Sequence, residues 1–174
     1  MYSKDVVVPE SVKIEIEGNK VKVFGEKGIL EKTFKATFGV KMEKQESKVK
    51  VSSESERRKV KALVGAIAAH IRNMINGVTK GYIYRLRVIY SHFPITVKVE
   101  GSKVMISNFL GERVPRVAKI FGEVKVKIEG QDIIVTGIDI DDVGLTAGSI
   151  EQSTRVTARD RKVFQDGAWI VSRD

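Results

Sequence analysis

Apolar and polar residues alternate along most of this chain, and the alternating pattern occurs twice. Residues 12–23 and residues 95–106 align at an offset of 83 positions, and each reads as two alternating stretches around a Gly-Asn or Gly-Ser pair. Such a pair between alternating stretches is typical of a β-hairpin. Residues 40–51 align in the same way with residues 124–135, at an offset of 84, and predict a second hairpin in each copy. The chain is therefore predicted to be an internal repeat.

Each copy is predicted to continue from its second hairpin into a helix. In the first copy, apolar residues recur at helical spacing between Val60 and Ile75. Ser53 and Glu56 stand three positions apart just before this stretch, as in a capping box, and Gly77 is expected to follow the last turn.

The second helix has a weaker apolar stripe but a clearer beginning. Asp139 is the predicted N-cap, and Asp141 and Asp142 would lie in the first turn, where acidic side chains favour the positive end of the helix dipole. The same three acids resemble a metal-binding cluster only superficially, because a helix start accounts for them. The stripe consists of Ile140, Val143, Ala147 and Ile150.

The repeated unit predicts an α+β fold class. A sheet with one apolar face and a helix with one apolar stripe must both bury that surface, so they should pack together within each copy. We therefore expect a tandem repeat of two small domains, each an antiparallel sheet of hairpins packed against one helix. The domains are expected at 1–81 and 82–174, joined near Gly81 without a long linker.

Two segments outside the aligned hairpins also have a predicted structure. Residues 84–90 alternate like a strand that opens the second domain. Asp166-Gly167 is a hairpin turn signal, and Phe164 and Trp169 on either side of it are expected to pack the C-terminal segment down.

Composition excludes several kinds of site. The chain has 174 residues, of which 42% are apolar, so it can bury a sizeable core. The absence of cysteine excludes disulfides, thiolate metal sites and a Cys nucleophile, and it fits a reducing compartment. With only His70 and His92, a His-rich metal centre is not expected. The longest nearly apolar run, 62–69, is too short to cross a membrane, and the first residues have no signal-peptide core.

The charge balance points to a polyanionic partner. The net charge is +9 and the isoelectric point is near 9.7. Residues 1–84 carry most of the excess, but mainly as lysine, whereas eight of the 11 arginines lie in 85–174. Arginine binds phosphates in a bidentate manner and stacks on bases, so side-chain chemistry favours the second copy as the binding half.

The arginines of the second copy form two clusters. The segment Arg113–Lys119 lies between the two predicted hairpins, and the segment 153–162 follows the predicted helix and carries four basic residues against one acidic residue. A basic run is often only a solvated surface, but two arginine clusters in one copy favour a binding role. The first-copy lysines on strand positions, Lys20 and Lys22 among them, are read as solubilising or edge-protecting.

No constellation of catalytic residues is evident. Ser91 precedes His92 in a predicted turn, but neighbouring residues on an extended chain point apart, and no third group is indicated. His70 reads as a helix-surface or half-buried histidine. The glycines do not have the spacing of a nucleotide-binding loop. The residues alone thus leave three classes open: a nucleic-acid-binding protein, a module for an acidic protein partner, and an enzyme for an acidic substrate, the last without an acid–base pair or a metal set.

Four segments carry a resemblance to a known family. These are residues 51–75, the sequence YSHFPI at 90–95, the sequence NFLGER at 108–113 and the sequence DRKVFQDG at 160–167. In this order they resemble the archaeal and eukaryotic form of ribosomal protein six of the large subunit. The resemblance implies a tandem duplication of a small α+β domain, no catalysis, no cofactor, no metal, no membrane and no small-molecule substrate.

The resemblance also implies partners and a location. The partners would be large-subunit rRNA, bound chiefly by the second domain, and neighbouring ribosomal proteins. The location would be the cytoplasmic ribosome, near the base of the lateral stalk, the factor-binding region and the sarcin–ricin loop. Recognition would be mainly of RNA shape and backbone. The residues expected to face RNA are Ser91, His92, Phe93, Arg113, Arg116, Lys119, Arg155, Arg159, Arg161 and Lys162.

Overall fold

A computed structural model of the chain describes residues 2–35, 39–45 and 47–174. The chain divides into two compact units, Met1–Gly81 and Tyr82–Asp174. Each unit contains antiparallel sheets and one long helix, so the predicted fold class, a tandem α+β repeat, is confirmed.

The first unit contains two antiparallel sheets and helix α1 (Arg58–Thr79) in its described part. One sheet has the strand order β2-β3-β4 and the other has the order β1-β6-β5. Both predicted hairpins are present as β2–β3 and β5–β6. The strands are β1 (Tyr2–Val7), β2 (Lys13–Glu17), β3 (Lys20–Gly25), β4 (Gly28–Thr33), β5 (Val40–Gln45) and β6 (Lys48–Ser53).

Helix α1 begins later and ends later than predicted. Ser53 does not cap it, because Ser53 is the last residue of β6, where it pairs with Tyr2 and Val40. The N-cap is Arg57, without a side-chain hydrogen bond. Gly77 lies inside the helix, where it is buried, since tertiary packing outweighs its low helix propensity.

The core of the first unit lies between α1 and the two sheets. The apolar stripe of α1 packs against inward-facing valines of the central strands β3 and β6, and these valines are fully buried. Close approach also occurs at the end of α1, where a Cβ atom on Gly25 would lie 2.6 Å from a methyl carbon of Val78. The central residues of this core are Val21, Val23, Val49, Val51, Val64 and Ile71.

The second unit repeats the plan with additions. One sheet has the order β10-β9-β8, the other has the order β11-β12-β7-β13, and all pairings are antiparallel. The elements are β7 (Tyr82–Ile89), β8 (Thr96–Glu100), β9 (Lys103–Ser107), a short 3-10 turn (Phe109–Gly111), β10 (Arg116–Lys119), β11 (Lys125–Glu129), β12 (Asp132–Gly137), α2 (Ile140–Ser153) and β13 (Gly167–Arg173).

The predicted beginning of α2 is confirmed. The carboxylate of Asp139 accepts a hydrogen bond from the main-chain nitrogen of Asp141 over 2.9 Å, and Asp141 and Asp142 lie in the first turn. Val143, Ala147 and Ile150 are fully buried against the sheets. Among the described residues, neither helix has the length and apolar character needed to cross a membrane.

The segment Arg113–Lys119 lies between the two hairpins of the second unit, as predicted, and Arg116–Lys119 within it forms a strand that pairs with β9. One prediction in the second unit is wrong in detail. Asp166-Gly167 is not a hairpin turn, because β13 begins at Gly167 and pairs with the distant strand β7. Because the partner strand β7 is distant in the chain, the residues around Gly167 do not indicate this pairing. The strand expected at 84–90 is present as β7.

Candidate nucleic-acid interface

Three loops of the second unit are joined to one another. We call them the Ser-His turn (residues 90–94), the middle loop (108–115) and the C-terminal loop (154–166). The amide of Asn108 donates to the carbonyl oxygen of Pro94 over 3.0 Å, which joins the first two. The main-chain nitrogen of Ser91 donates to the carboxylate of Asp166 over 3.3 Å, which joins the first and third. Together the three loops form one surface, called here the loop surface.

Asp166 is the buried anchor of the Ser-His turn. Asp166 is only 1% exposed. Oδ1 accepts from the hydroxyl of Ser91 over 3.1 Å and lies 3.4 Å from Nδ1 of His92, while Oδ2 accepts from the main-chain nitrogens of Ser91 and His92. Burial raises the pKa of the Asp166 carboxyl, but the hydrogen bonds from His92 and Ser91 outweigh it and hold the pKa below its usual value.

The expectation that the side chains of Ser91 and His92 point apart is wrong. Ser91 Oγ lies 3.0 Å from His92 Nδ1, because the chain bends here and both groups converge on Asp166. A hydrolytic triad needs the hydroxyl on one ring nitrogen and the carboxylate on the other. Here both meet Nδ1, so the arrangement fixes the shape of the turn and has the wrong geometry for a proton relay.

A stack of side chains extends from this anchor to the solvent. The rings of His92 and Phe164 have their centroids 4.7 Å apart. The guanidinium carbon of Arg159 lies 4.9 Å from the centroid of Phe164, so the cation covers the same ring. The left-handed backbone of Ala158, with φ +57°, precedes Arg159. Packing against Phe164 thus fixes the position of an exposed guanidinium.

Arg116 has an internal role. Its Nε and Nη2 donate to the two carboxylate oxygens of Glu112, over 2.8 and 2.6 Å. Its Nη1 donates to the carbonyl oxygens of Ser153 and Arg155, and the guanidinium covers the ring of buried Phe109. The hydrogen bond from Arg116 holds the pKa of the Glu112 carboxyl below its usual value. Arg116 therefore joins the middle and C-terminal loops.

The other predicted basic residues are exposed. Phe93 is also exposed, with its ring close to Gly111 of the middle loop. Lys119 lies at the far end of β10, where its main-chain nitrogen donates to Ser149 of α2. The side chains of the basic residues in this group make no hydrogen bond or ion pair with any described residue. The group consists of Arg113, Lys119, Arg155, Arg161 and Lys162.

Sequence reasoning missed three residues that organise or extend this surface. Asp166 was read as part of a turn, and its contact with Ser91 spans 75 positions, which no local pattern indicates. Glu112 was not singled out, although it stands four positions before Arg116. Trp169 was expected to be structural, yet it is 42% exposed and lines a groove beside Arg161. Within the described ranges, no cluster of three or more His, Asp or Glu could hold a metal ion.

Comparison with known proteins agrees with the duplicated fold. The family model described as Ribosomal protein L6 matches residues 8–81 and again 93–167, once in each unit. The chain belongs to the ribosomal protein L6 family. It is 53% identical to the large ribosomal subunit protein uL6 of Desulfurococcus amylolyticus, over 98% of this chain and 94% of that protein.

More distant members of the ribosomal protein L6 family align over the same extent. The uL6 protein of Ignicoccus hospitalis is 50% identical over 97% of this chain and 93% of its own length. The uL6 protein of Methanosarcina mazei is 44% identical over 98% of this chain and 97% of its own length. The archaeal and eukaryotic type identified from four sequence segments is therefore confirmed, and with it a place in the large subunit of the cytoplasmic ribosome.

Proposed function

We propose that this ribosomal protein is a structural, non-catalytic constituent of the large subunit and binds large-subunit rRNA through the loop surface of its second unit. We infer that this contact lies near the base of the lateral stalk, beside the factor-binding region and the sarcin–ricin loop, as the resemblance to the family implies. Neighbouring ribosomal proteins would be its other partners. Phosphates of crowded rRNA helices would be neutralised by arginine and lysine, and the loops would fix the arrangement of the RNA.

One observation carries this proposal: exposed cations without internal partners lie on two of three interlocked loops. Arg113 follows the 3-10 turn of the middle loop, and Arg155, Arg161 and Lys162 belong to the C-terminal loop. Free guanidinium groups are suited to bidentate contacts with phosphate oxygens. Arg159 adds a guanidinium held in place by Phe164.

The internal bonds of the loops support binding by a preformed surface. Asp166 holds the Ser-His turn, and Arg116 holds the middle loop to the C-terminal loop. Loops fixed before binding lose less conformational entropy when the RNA arrives. A rigid surface of this kind suits recognition of the backbone and shape of RNA, since A-form helices hide their base edges.

The lysines of the first unit differ from these cations. Lys20 forms an ion pair with Glu31 over 2.6 Å, and Lys22 lies 3.8 Å from the same carboxylate. The hydrogen bond from Lys20 holds the pKa of the Glu31 carboxyl below its usual value. Lys20 and Lys22 thus face a carboxylate on their own sheet and are less available to phosphates than the unpaired cations of the second unit, which favours the second unit as the binding half.

A filter-binding titration against protein-free large-subunit rRNA tests the proposal. The double variant Arg113→Ala/Arg159→Ala removes two exposed cations of the loop surface. We expect weaker binding and a slope of log affinity against log salt that is shallower by about 1 to 2, because each lost phosphate contact lowers the slope by about 0.7 to 0.9.

The matched control is Arg57→Ala/Arg58→Ala in the first unit. It removes the same charge from exposed positions at the start of α1, where cations oppose the helix dipole. Equal loss of affinity in the two double variants would refute the loop surface as the binding site. Thermal melts of both variants verify that each remains folded.

A further inference from the structure

A groove beside the loop surface combines an exposed indole with arginine. It has a volume of about 260 Å³ and is lined by Val156, Arg161, Phe164, Gln165 and Trp169. A second depression shares Arg161 and Trp169 with it and continues to Gln152 and Arg155. The groove therefore runs from strand β13 to the C-terminal loop, and we call it the Trp169 groove.

The indole of Trp169 is hydrogen-bonded at its edge, and part of the ring is exposed to solvent. Its Nε1 donates to the carbonyl oxygen of Gln165 over 3.3 Å, so its polar group is satisfied within the protein. The neighbouring main-chain nitrogens on β13 are also occupied, since Ala168 donates to Thr154 and Ile170 donates to Glu151. The sheet edge offers no donors at these two positions, and the exposed indole is the feature left for a ligand.

The surroundings of the indole are cationic and polar. The guanidinium groups of Arg155 and Arg161 have no hydrogen-bond or ion-pair partner among the described residues. The amide nitrogen of Gln165 donates to the carbonyl oxygen of Lys162, which leaves its oxygen as an acceptor. A flat aromatic surface with two cations and an amide acceptor matches a planar, hydrogen-bonding group attached to a phosphate.

We propose that the Trp169 groove receives one unstacked base of a single-stranded rRNA segment. The base would stack on the indole, and the adjoining phosphates would contact Arg155 and Arg161. Base–aromatic stacking next to a cationic track is the usual way in which proteins bind single strands. This inference rests on the proposed function, because it adds a base contact to an rRNA surface that otherwise recognises only the backbone.

The dimensions of the groove agree with one base better than with a larger ligand. The depression beside the indole that Val156 and Phe164 line has a volume of about 260 Å³, below the range of about 300 to 1,000 Å³ for pockets that bind drug-sized molecules. An apolar protein side chain would fill it without using the two arginines, whose charges favour a polyanion. A single base with its phosphates uses the indole and both cations.

Trp169 is the only tryptophan of the chain, so its fluorescence reports directly on the groove. The full-length protein is titrated with a short single-stranded RNA of mixed sequence, with the blunt duplex of the same sequence, with adenosine monophosphate and with polyglutamate. We expect saturable quenching by the single strand and much weaker quenching by the other three. Quenching by the duplex or by polyglutamate equal to that by the single strand would show a charge effect without base stacking. Tighter binding of the mononucleotide than of the single strand would show a small-molecule site. Each of these results would overturn the inference.

A variant series measures the contribution of the indole to rRNA binding. Trp169→Ala should weaken filter binding to protein-free large-subunit rRNA by about 5- to 150-fold, the range found when a stacking aromatic is replaced by alanine. Trp169→Phe should retain most of the affinity, because a ring remains. If Trp169→Ala binds as the parent does while Arg113→Ala/Arg159→Ala is weakened, the base contact is refuted and the proposed function stands. If neither variant is weakened, the loop surface itself is refuted.

Discussion

The sharpest test of the anchor is the substitution Asp166→Asn, which keeps the size of the side chain and removes its charge. The carboxylate of Asp166 faces donors on both oxygens: Ser91 Oγ and His92 Nδ1 on one, and the main-chain nitrogens of the same two residues on the other. An asparagine can keep its oxygen toward the main-chain nitrogens. Its amide nitrogen must then face the side chains of Ser91 and His92, which have to reverse their hydrogen bonds.

The cost follows from the number of bonds that change. In the variant, the acceptor of the two main-chain hydrogen bonds is no longer charged. At least one charge-assisted hydrogen bond from a side chain is also lost. A hydrogen bond to a charged group contributes about 1.5 to 3 kcal/mol, so we expect the second unit to lose about 2 kcal/mol of its free energy of unfolding. With a urea dependence of about 2 kcal/mol per molar, the unfolding midpoint should fall by about 1 M.

The loss should depend on pH in a defined direction. The pKa of Asp166 lies below its usual value in the folded protein, while in the unfolded chain it is near 3.9. Its contribution is therefore present above about pH 4 and is lost as the pH falls through the folded pKa. Asparagine does not titrate, so the parent and the Asp166→Asn variant should differ at pH 7 and converge in acid.

Urea unfolding followed by Trp169 fluorescence is the assay, since the tryptophan lies on β13, three positions from Asp166, and reports on the second unit. The control is Asp5→Asn, which removes the same charge from an exposed position in the first unit. A midpoint for Asp166→Asn that equals the control's at pH 7, or a difference that persists unchanged at low pH, would refute the role assigned to the carboxylate.

Three further substitutions test the packing described above. Arg116→Lys cannot reproduce the bidentate pair and the two carbonyl contacts, so it should lower the stability of the second unit by about 2 kcal/mol in the same fluorescence assay; an unchanged midpoint would contradict its joining role. Gly25→Ala places a methyl group against Val78 and should cost about 1 to 3 kcal/mol, seen as an earlier thermal transition by circular dichroism, unlike Gly65→Ala, which has only the end of a lysine side chain nearby. Asp139→Ala removes the cap of α2 and should cost about 1 kcal/mol, whereas Asp139→Ser should restore most of it.

Local patterns in the sequence were sufficient for most of the fold. The Gly-Asn and Gly-Ser turns and the alternation around them predict the hairpins β2–β3 and β8–β9, because a hairpin depends on neighbours in the chain. Asp139 predicts the start of α2 for the same reason. The beginning of α1 was misplaced because Ser53 is held in β6 by pairing with Tyr2, a contact that its own neighbours do not indicate.

The candidate site was less accessible to sequence reasoning. The exposed cations were identified by residue type and clustering alone, as for Arg113 and Arg161. The sequence did not reveal which arginines are exposed and which bond within the protein. Arg116 differs from Arg113 and Arg161 only because the fold brings two carbonyl oxygens and a carboxylate to it. The role of Asp166 likewise depends on a turn 75 positions away.

The first and last strands of the second unit are neighbours in its sheet. Ile83 and Asp174 exchange main-chain hydrogen bonds of 2.8 and 2.9 Å, where β13 runs back along β7. The chain thus enters and leaves this unit at nearly the same point. A unit with adjoining ends can be copied head to tail, inserted elsewhere or cut and rejoined in a new order without disturbing its interior. Gene duplication of such a unit requires no change in its topology, which makes a two-copy protein an easily reached evolutionary product.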